Sequence, residues 1–330
     1  MIGLAKLAPG PGNVAITERE ERPPARGEVI IEVHGAGICG TDLHIEAGEF
    51  QCRPPVTMGH EVSGVVSAVG ETVDPSWLGT SVVSETYYST CGHCAWCREG
   101  QVNLCPERRS IGSFVDGAFA RQLVVPAANL HRIPGWLDEH AAVLIEPLAC
   151  VCQCLCDPSR VAPGDRVLVT GPGPVGLLAA QVARAFGGEV SIVGLPRDEA
   201  RLAVARNLGF ATAHAAQPGA QVVIECSGAA GGAATCFEAA GRGARYVQVG
   251  VFGRDVTVPL DNLFRKELVM TSGFASTPRS WRRAMSLVET RRVALEPLVS
   301  YVAPLADWQG VFADLRSGRG LKIVFDPRLQ

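Results

Sequence analysis

A glycine turn set between an apolar strand and an apolar helix limits this chain's fold more than any other stretch. Residues 163–187 read P-G-D-R-V-L-V-T-G-P-G-P-V-G-L-L-A-A-Q-V-A-R-A-F-G. A short strand ends at Thr170, Gly171-x-Gly173-x-x-Gly176 follows, and a helix opens on Pro174 and Val175. Glycines in that order permit a tight turn, let backbone approach a pyrophosphate, and allow close helix–strand packing. The helix N-terminus offers unpaired N–H groups to the anion. Three glycines alone are a weak signal; framed by strand and helix, they indicate a dinucleotide site at Gly171, Gly173, Pro174, Val175 and Gly176.

The following strand, E-V-S-I-V-G, reaches the place where an acid would hold the ribose of NAD. Its tip is Gly194-Leu195-Pro196-Arg197-Asp198 instead. A small residue followed by Arg197 suits a 2′-phosphate, so the reading leans to NADP(H). Asp198 is the counterweight, and it equally suits the start of the next helix. Further strands at Q-V-V-I-E-C-S-G, R-Y-V-Q-V-G-V-F-G and L-V-M-T-S-G-F alternate with helices, one of them at about 281–289. That alternation gives an α/β class with a doubly wound parallel sheet and its site at the strand carboxyl ends.

With 330 residues the chain has material for about two domains. A charged fraction of 19% and a net charge of −3 argue against nucleic-acid and anionic-membrane partners. No apolar run is long enough to span a bilayer, and the start lacks a secretory pattern. Twelve cysteines would suggest disulfides in a short secreted chain; here the length and the absence of a signal favour a reducing cytoplasm and metal-bound or free thiols.

Four of those cysteines stand together in C-G-H-C-A-W-C-R-E-G-Q-V-N-L-C, as Cys91, Cys94, Cys97 and Cys105. Thiolates two residues apart can turn back onto one ion, and four complete a closed tetrahedral zinc site. An iron–sulfur cluster uses similar spacing, and Pro106 after Cys105 keeps that alternative open. Either way a closed site staples a loop, so the reacting groups lie elsewhere.

Upstream, residues 29–34 read as a strand and 35–40 as a tight loop. The sequence G-A-G-I-C-G-T-D-L-H then brings Cys39, Thr41, Asp42 and His44 together. His60 and Glu61 stand side by side before a strand-rich segment. A cysteine, a histidine and an acid from separate loops are ligand types of a catalytic zinc with one open position, although each alone is more often core or surface. A helix is expected from about Leu137, carrying A-A-V-L-I-E-P-L-A. Glu146 sits there in apolar surroundings that require a partner, such as a metal, or a raised pKa; the plainer reading is a surface acid. The run Cys150 to Cys156 is read as core, because helical residues two apart point in roughly opposite directions.

Taken together, G-I-C-G-T-D-L-H, G-H-E-V-S-G, the four-cysteine lobe, I-E-P-L-A and T-G-P-G-P-V-G resemble zinc-dependent medium-chain alcohol dehydrogenases. The likeness covers nearly the whole chain and is strongest to the sorbitol and threonine dehydrogenase branch. It implies a GroES-like, mainly β catalytic domain at 1–148 and 282–330, with the structural-zinc lobe at about 90–106. A Rossmann domain would occupy 149–281, with the catalytic site at the crevice between the two. Two Zn2+ ions per chain are implied. Cys39, His60 and Glu61 or Glu146 would surround the catalytic one, and Cys91, Cys94, Cys97 and Cys105 the structural one. Thr41 and His44 match the residues that pass the alcohol proton outward, and Asp42 the carboxylate that orients His60.

The resemblance implies NAD(P)-linked interconversion of a polar secondary alcohol (polyol, sugar, amino-cyclitol or hydroxy-amino acid) and its ketone, in a cytoplasmic homodimer or homotetramer. Sorbitol-type members carry an Arg-Tyr pair where this chain has Gly273-Phe274-Ala275, so the resemblance does not extend to a true sorbitol dehydrogenase. Phe50, Phe114 and Phe274 are candidate pocket walls, and Glu49 or Arg53 candidate contacts for a polar substituent. Two rivals remain: a zinc-independent enone or quinone reductase, and a non-catalytic zinc- and nucleotide-binding redox sensor.

Overall fold

The computed structural model describes residues 1–329. The chain forms two compact units, Met1–Glu146 together with the chain from Val299 onward, and Pro147–Leu298. In the first unit the strand Glu28–Gly37 lies at the heart of a seven-stranded sheet. The strand Glu61–Val69 pairs along one side of it, antiparallel. On the other side Gln122–Pro126 covers residues 28–32, and Lys322–Phe325 covers 36 and 37. The C-terminal strand thereby reaches the stretch that leads into Cys39. Apolar side chains including Leu4, Val33, Met58, Phe119 and Phe312 fill the core beneath, and Phe119 meets Phe325 edge to face at 5.1 Å.

Of the loop expected at residues 35–40, residues 35–37 continue that strand, and after Ile38 and Cys39 the helix Gly40–Ala47 begins. Gly35 and Gly37 serve close approach and not a turn. A Cβ on Gly35 would lie 2.7 Å from Ser63 Oγ, and one on Gly37 2.9 Å from Val143 Cγ2. The helix expected from Leu137 also starts later. Asp138 Oδ1 accepts the N–H groups of His140 and Ala141, a 3-10 turn spans Ala141–Leu144, and the α-helix is Ile145–Leu155.

The second unit is a six-stranded, all-parallel sheet. Its order is Ala211–Ala213, Glu189–Val193, Arg166–Thr170, Ala220–Glu225, Ala240–Gln248, Val269–Ser272. Strand order reverses between Arg166–Thr170 and Ala220–Glu225, which is where a doubly wound sheet opens its ligand crevice. The unit extends past the expected limit at 281 to Leu298. The helix placed at about 281–289 is Pro278–Glu289, capped by Thr277, with Trp281, Ala284, Met285 and Val288 buried along one face. Beyond it, Gln181 exchanges two hydrogen bonds with Ala294, of 3.0 and 2.7 Å, and Arg292 donates to Ala185 O. Those bonds tie residues 292–294 to the helix Pro174–Ala185, so the segment belongs with the parallel sheet.

Candidate metal centre and dinucleotide turn

Cys39 is the N-cap of the helix Gly40–Ala47, and its extended backbone turns the thiol out of the preceding strand. Gly59, at φ +89°, bends the chain just before His60, and Glu61 opens the next strand. Ligand atoms of Cys39, His60 and Glu61 all lie within 4.8 Å of one another. Thr41 Oγ1 is 3.8 Å from Cys39 Sγ. His44 Nδ1 is 2.7 Å from Glu49 Oε2, so the acid considered for a substrate contact is engaged by His44. Glu146 lies outside the tightest group; its buried Oε1 accepts a 2.9 Å hydrogen bond from Thr86 Oγ1.

Asp42 is fully buried. Its Oδ2 accepts the Cys39 N–H at 2.9 Å, while Oδ1 has no hydrogen-bond partner and lies 3.9 Å from His60 Nδ1. A buried unpartnered carboxylate oxygen is costly. Here it stands behind the imidazole where a carboxylate that orients a metal-ligating histidine belongs. Burial raises the Asp42 and Glu146 carboxyls above their ordinary values. Burial also disfavours a charged His60, but the Cys39 hydrogen bond and the charges of Asp42, Cys39 and Glu146 outweigh it and push His60 well up. A site that draws a proton onto a buried histidine has the field to hold a cation. Soft sulfur, imidazole and carboxylate together suit zinc.

Sequence reasoning missed Lys322. Its buried Nζ donates to both oxygens of Glu61 at 2.7 Å and to Ile38 O at 2.9 Å, joining the approaches to His60 and Cys39. The available signal was a lysine inside L-K-I-V-F, a run buried throughout. Thr86 was missed too and carries no sequence signature. Phe50, Phe114 and Phe274 are each more than a third exposed, and Arg53 is exposed.

The second thiol group is closed. Cys91, Cys94, Cys97 and Cys105 place their sulfurs within 4.8 Å of each other, without disulfides. Cys91 Sγ and Cys97 Sγ are 3.9 Å apart, near the ~3.8 Å edge of a tetrahedron with Zn–S bonds of about 2.3 Å. Backbone N–H groups of Cys91, Cys94 and Cys97 each point at a neighbouring sulfur, at 3.4 Å. Hydrogen bonds from the backbone at His93 and Cys94 draw the Cys91 thiol down to about 6, while Cys94, helped by the Cys97 N–H but opposed by burial and the neighbouring sulfurs, is pushed up to about 11, so without a cation the group holds one favoured thiolate. Elsewhere, Glu139, His140 and Asp326 also converge, but Arg328 bonds both acids and already supplies the cation. Cys152, Cys154 and Cys156 are buried on or just after the helix Ile145–Leu155. The Cys156 hydrogen bond and burial push Cys152 well up, and burial pushes Cys154 up to about 11, so both are packed thiols.

In the second unit the glycines fill three different needs. Gly171 has φ +87°, and a Cβ there would lie 2.7 Å from Ser227 Cα. Gly173 caps the helix Pro174–Ala185, and a Cβ on it would meet nothing within 4 Å. Gly176 packs against Gly171 O too closely for any side chain. At the tip of Glu189–Val193, Asp198 is turned inward: Oδ2 accepts the Leu195 N–H at 2.9 Å and Oδ1 lies 4.0 Å from Arg201. Arg197 next to it is exposed.

The chain matches two family models, the alcohol dehydrogenase GroES-like domain over residues 25–135 and the zinc-binding dehydrogenase over residues 174–290. It is 35% identical to a sorbitol dehydrogenase of Halalkalibacterium halodurans, over 99% of each chain. Identity to an L-threonine 3-dehydrogenase of Thermococcus kodakarensis is 31%, over 99% of this chain and 98% of that one. Among solved structures, a protein of Sinorhizobium meliloti described as a zinc-binding dehydrogenase, with NADP bound, superposes at a TM-score of 0.90. It is 30% identical and each chain is covered to 99%.

Proposed function

This chain belongs to the zinc-dependent medium-chain alcohol dehydrogenases, and we propose that within that family it acts on a polar secondary alcohol through Cys39, His60, Thr41 and His44. It is an NAD(P)-linked dehydrogenase that interconverts an alcohol and a ketone. The observation that carries the site assignment is the convergence of Cys39, His60 and Glu61 with the unpartnered Asp42 oxygen behind the imidazole. Cys39 and His60 hold the catalytic zinc, and Glu61 and Glu146 are the neighbouring acids. Glu61 shares its carboxylate with Lys322. Cys91, Cys94, Cys97 and Cys105 hold the structural zinc.

When bound, zinc supplies a Lewis acid that acidifies an alcohol oxygen, and oxidised nicotinamide supplies the hydride acceptor. The chain's own residues handle the proton: Thr41 takes it beside Cys39 and His44 passes it outward, with Nδ1 held by Glu49 so that Nε2 exchanges. Asp42 fixes the imidazole of His60. Gly171, Gly173, Pro174, Val175 and Gly176 receive the pyrophosphate. Arg197 favours NADP(H), since Asp198 is spent on its own turn.

Polar relatives such as the sorbitol and threonine enzymes support the substrate class. No helix among the described residues is long and apolar enough to cross a membrane. The cytoplasmic reading rests on the unpaired thiols, and a homodimer or homotetramer fits the exposed surface. The edge strand Val269–Ser272 and the helix Leu260–Arg265 expose Val269, Met270, Leu260 and Phe264, the last by 82%. A free edge with apolar flanks is complementary to a second copy of itself. A Phe264→Asp variant that sedimented like the wild type would contradict that surface.

The deciding experiment measures zinc per chain alongside turnover on secondary alcohols, sugars, amino-cyclitols and hydroxy-amino acids with NAD+ and NADP+. Two zinc ions with dehydrogenation of a polar alcohol are expected. One zinc ion with enone reduction would overturn the proposal.

A further inference from the structure

Glu225 ends the strand Ala220–Glu225 after the buried run Val222, Val223 and Ile224, and is itself 0% exposed. Its neighbour across the sheet is Thr170, the last residue before the glycine turn. The two stand on either side of the point where strand order reverses, the place a doubly wound sheet reserves for its ligand. A buried carboxylate there requires donors, and five converge on it. Ser227 N (2.8 Å), Gly228 N (3.2 Å), Gln248 Nε2 (2.9 Å), Thr170 Oγ1 (3.4 Å) and Ser227 Oγ all donate to its oxygens. Its backbone carbonyl also accepts from Val249 N and Gly250 N, at 2.9 and 2.8 Å.

The walls of this cage are glycines. A Cβ on Gly232 would lie 2.8 Å from Glu225 Oε1, and one on Gly250 2.6 Å from Oε2. Ser227, held by the carboxylate through both N–H and hydroxyl, is the residue against which Gly171 packs. One side chain therefore links the ends of three adjacent strands and, through Ser227, sets the position of the pyrophosphate turn.

We propose that Glu225 is a positioning residue for the dinucleotide: it fixes the turns after Thr170, Glu225 and Gln248 in the arrangement that receives the cofactor. This rests on the reading of the second unit as the NAD(P) site. The carboxylate lies below the turns and acts on the cofactor through Ser227 and Gly228. Replacing one oxygen by an amide turns an acceptor into a donor among N–H groups, so at least one turn loses its anchor.

The test compares Glu225→Gln and Ser227→Ala with the wild type, each as the full zinc-loaded chain. NADPH and NADH dissociation constants come from fluorescence titration, with cofactor KM, kcat, zinc content and Tm measured beside them. Glu225→Gln is expected to weaken dinucleotide binding by about tenfold or more, the scale of an unpaired buried donor. Cofactor KM should rise in proportion, while zinc content and kcat at saturating cofactor stay near the wild type. Ser227→Ala, which deletes only the hydroxyl, should weaken binding several-fold with Tm nearly unchanged, and decides the matter if Glu225→Gln does not fold. Unchanged dissociation constants in Ser227→Ala, or a fall in Tm and kcat without a change in cofactor binding in Glu225→Gln, would overturn the proposal. A wild-type chain that bound neither NADPH nor NADH would overturn the dinucleotide reading itself, and the proposal with it.

Discussion

Lys322 Nζ lies 2.7 Å from each carboxylate oxygen of Glu61, with both side chains buried and the C-terminal strand thereby fastened to the residue beside His60. Burial works against the ammonium, yet the Glu61 charge keeps the Lys322 pKa above its usual value. Removing one partner of such a pair leaves a buried charge uncompensated, at a cost of about 3–5 kcal/mol. In metal-stripped protein, Lys322→Met should therefore unfold far below the wild type. Adding Glu61→Gln to it should recover most of the loss. Additive losses in that double-mutant cycle would show that the two residues do not act as a pair.

Cys39→Ser should remove turnover and one of two bound zinc ions, because the site loses its only thiolate while the four-cysteine lobe is untouched. Dinucleotide binding should stay within about twofold of the wild type, the scale of changes at independent sites. Cys97→Ser also costs one zinc ion, but its main effect should be a lower Tm, since a structural site contributes folding energy. Metal analysis with a thermal scan on both variants separates the roles. Equal zinc content in Cys39→Ser and wild type would remove Cys39 from the ligand set.

Acid should expose a different dependence, at Glu28. Arg22 grips its carboxylate at 2.6 and 3.0 Å, the Ala25 N–H adds a bond of 2.8 Å, and Tyr88 donates its hydroxyl. The Arg22 hydrogen bond leads in drawing the Glu28 carboxyl from 4.5 down to about 2. A carboxyl depressed in the folded state stabilises fully above its unfolded pKa and loses that contribution as pH falls through the folded value. The window here runs from about 4.5 down to about 2. Since Arg22 is half exposed, the contribution is on the order of 1–2 kcal/mol. The gap in thermal midpoint between wild type and Glu28→Gln should be constant above pH 5 and close across that window. A gap that persisted unchanged to pH 3 would contradict it.

The parallel sheet was legible because buried strands and glycine turns leave local marks: Gly171, Gly173 and Gly176 announce their own backbone requirements. The cysteine lobe was legible for the same reason, its spacing being the geometry of one ion. Gly35 and Gly37 misled, because a glycine demanded by a neighbouring strand looks in sequence like one demanded by a turn. The pairing of Lys322 with Glu61 joins residues 261 apart, a relation no local pattern encodes. Likewise, the segment after Trp281 stays with the second unit through Gln181 and Ala294, which are 113 residues apart. Asp198 is intermediate: sequence offered it as ribose ligand or helix start, and the bond to Leu195 N–H shows the carboxylate used within its own turn.

That inward turn of Asp198 makes the cofactor preference testable at Arg197. Asp198 accepts from Leu195 and leans towards Arg201, so its carboxylate is engaged within its own turn, while the exposed Arg197 stands at the same strand tip. A guanidinium that meets a phosphate forms charge-assisted bonds worth about 1.5–3 kcal/mol, and solvent exposure keeps the effect near the lower figure. Arg197→Ala should therefore raise KM for NADP+ by about tenfold and leave KM for NAD+ within about twofold. Arg197→Glu should go further, repelling the 2′-phosphate and turning the preference towards NAD+. Steady-state kinetics with both cofactors on one alcohol gives the ratio directly. If Arg197→Ala shifted both KM values equally, Arg197 would be serving the shared part of the dinucleotide, and the proposed preference for NADP(H) would lose its residue.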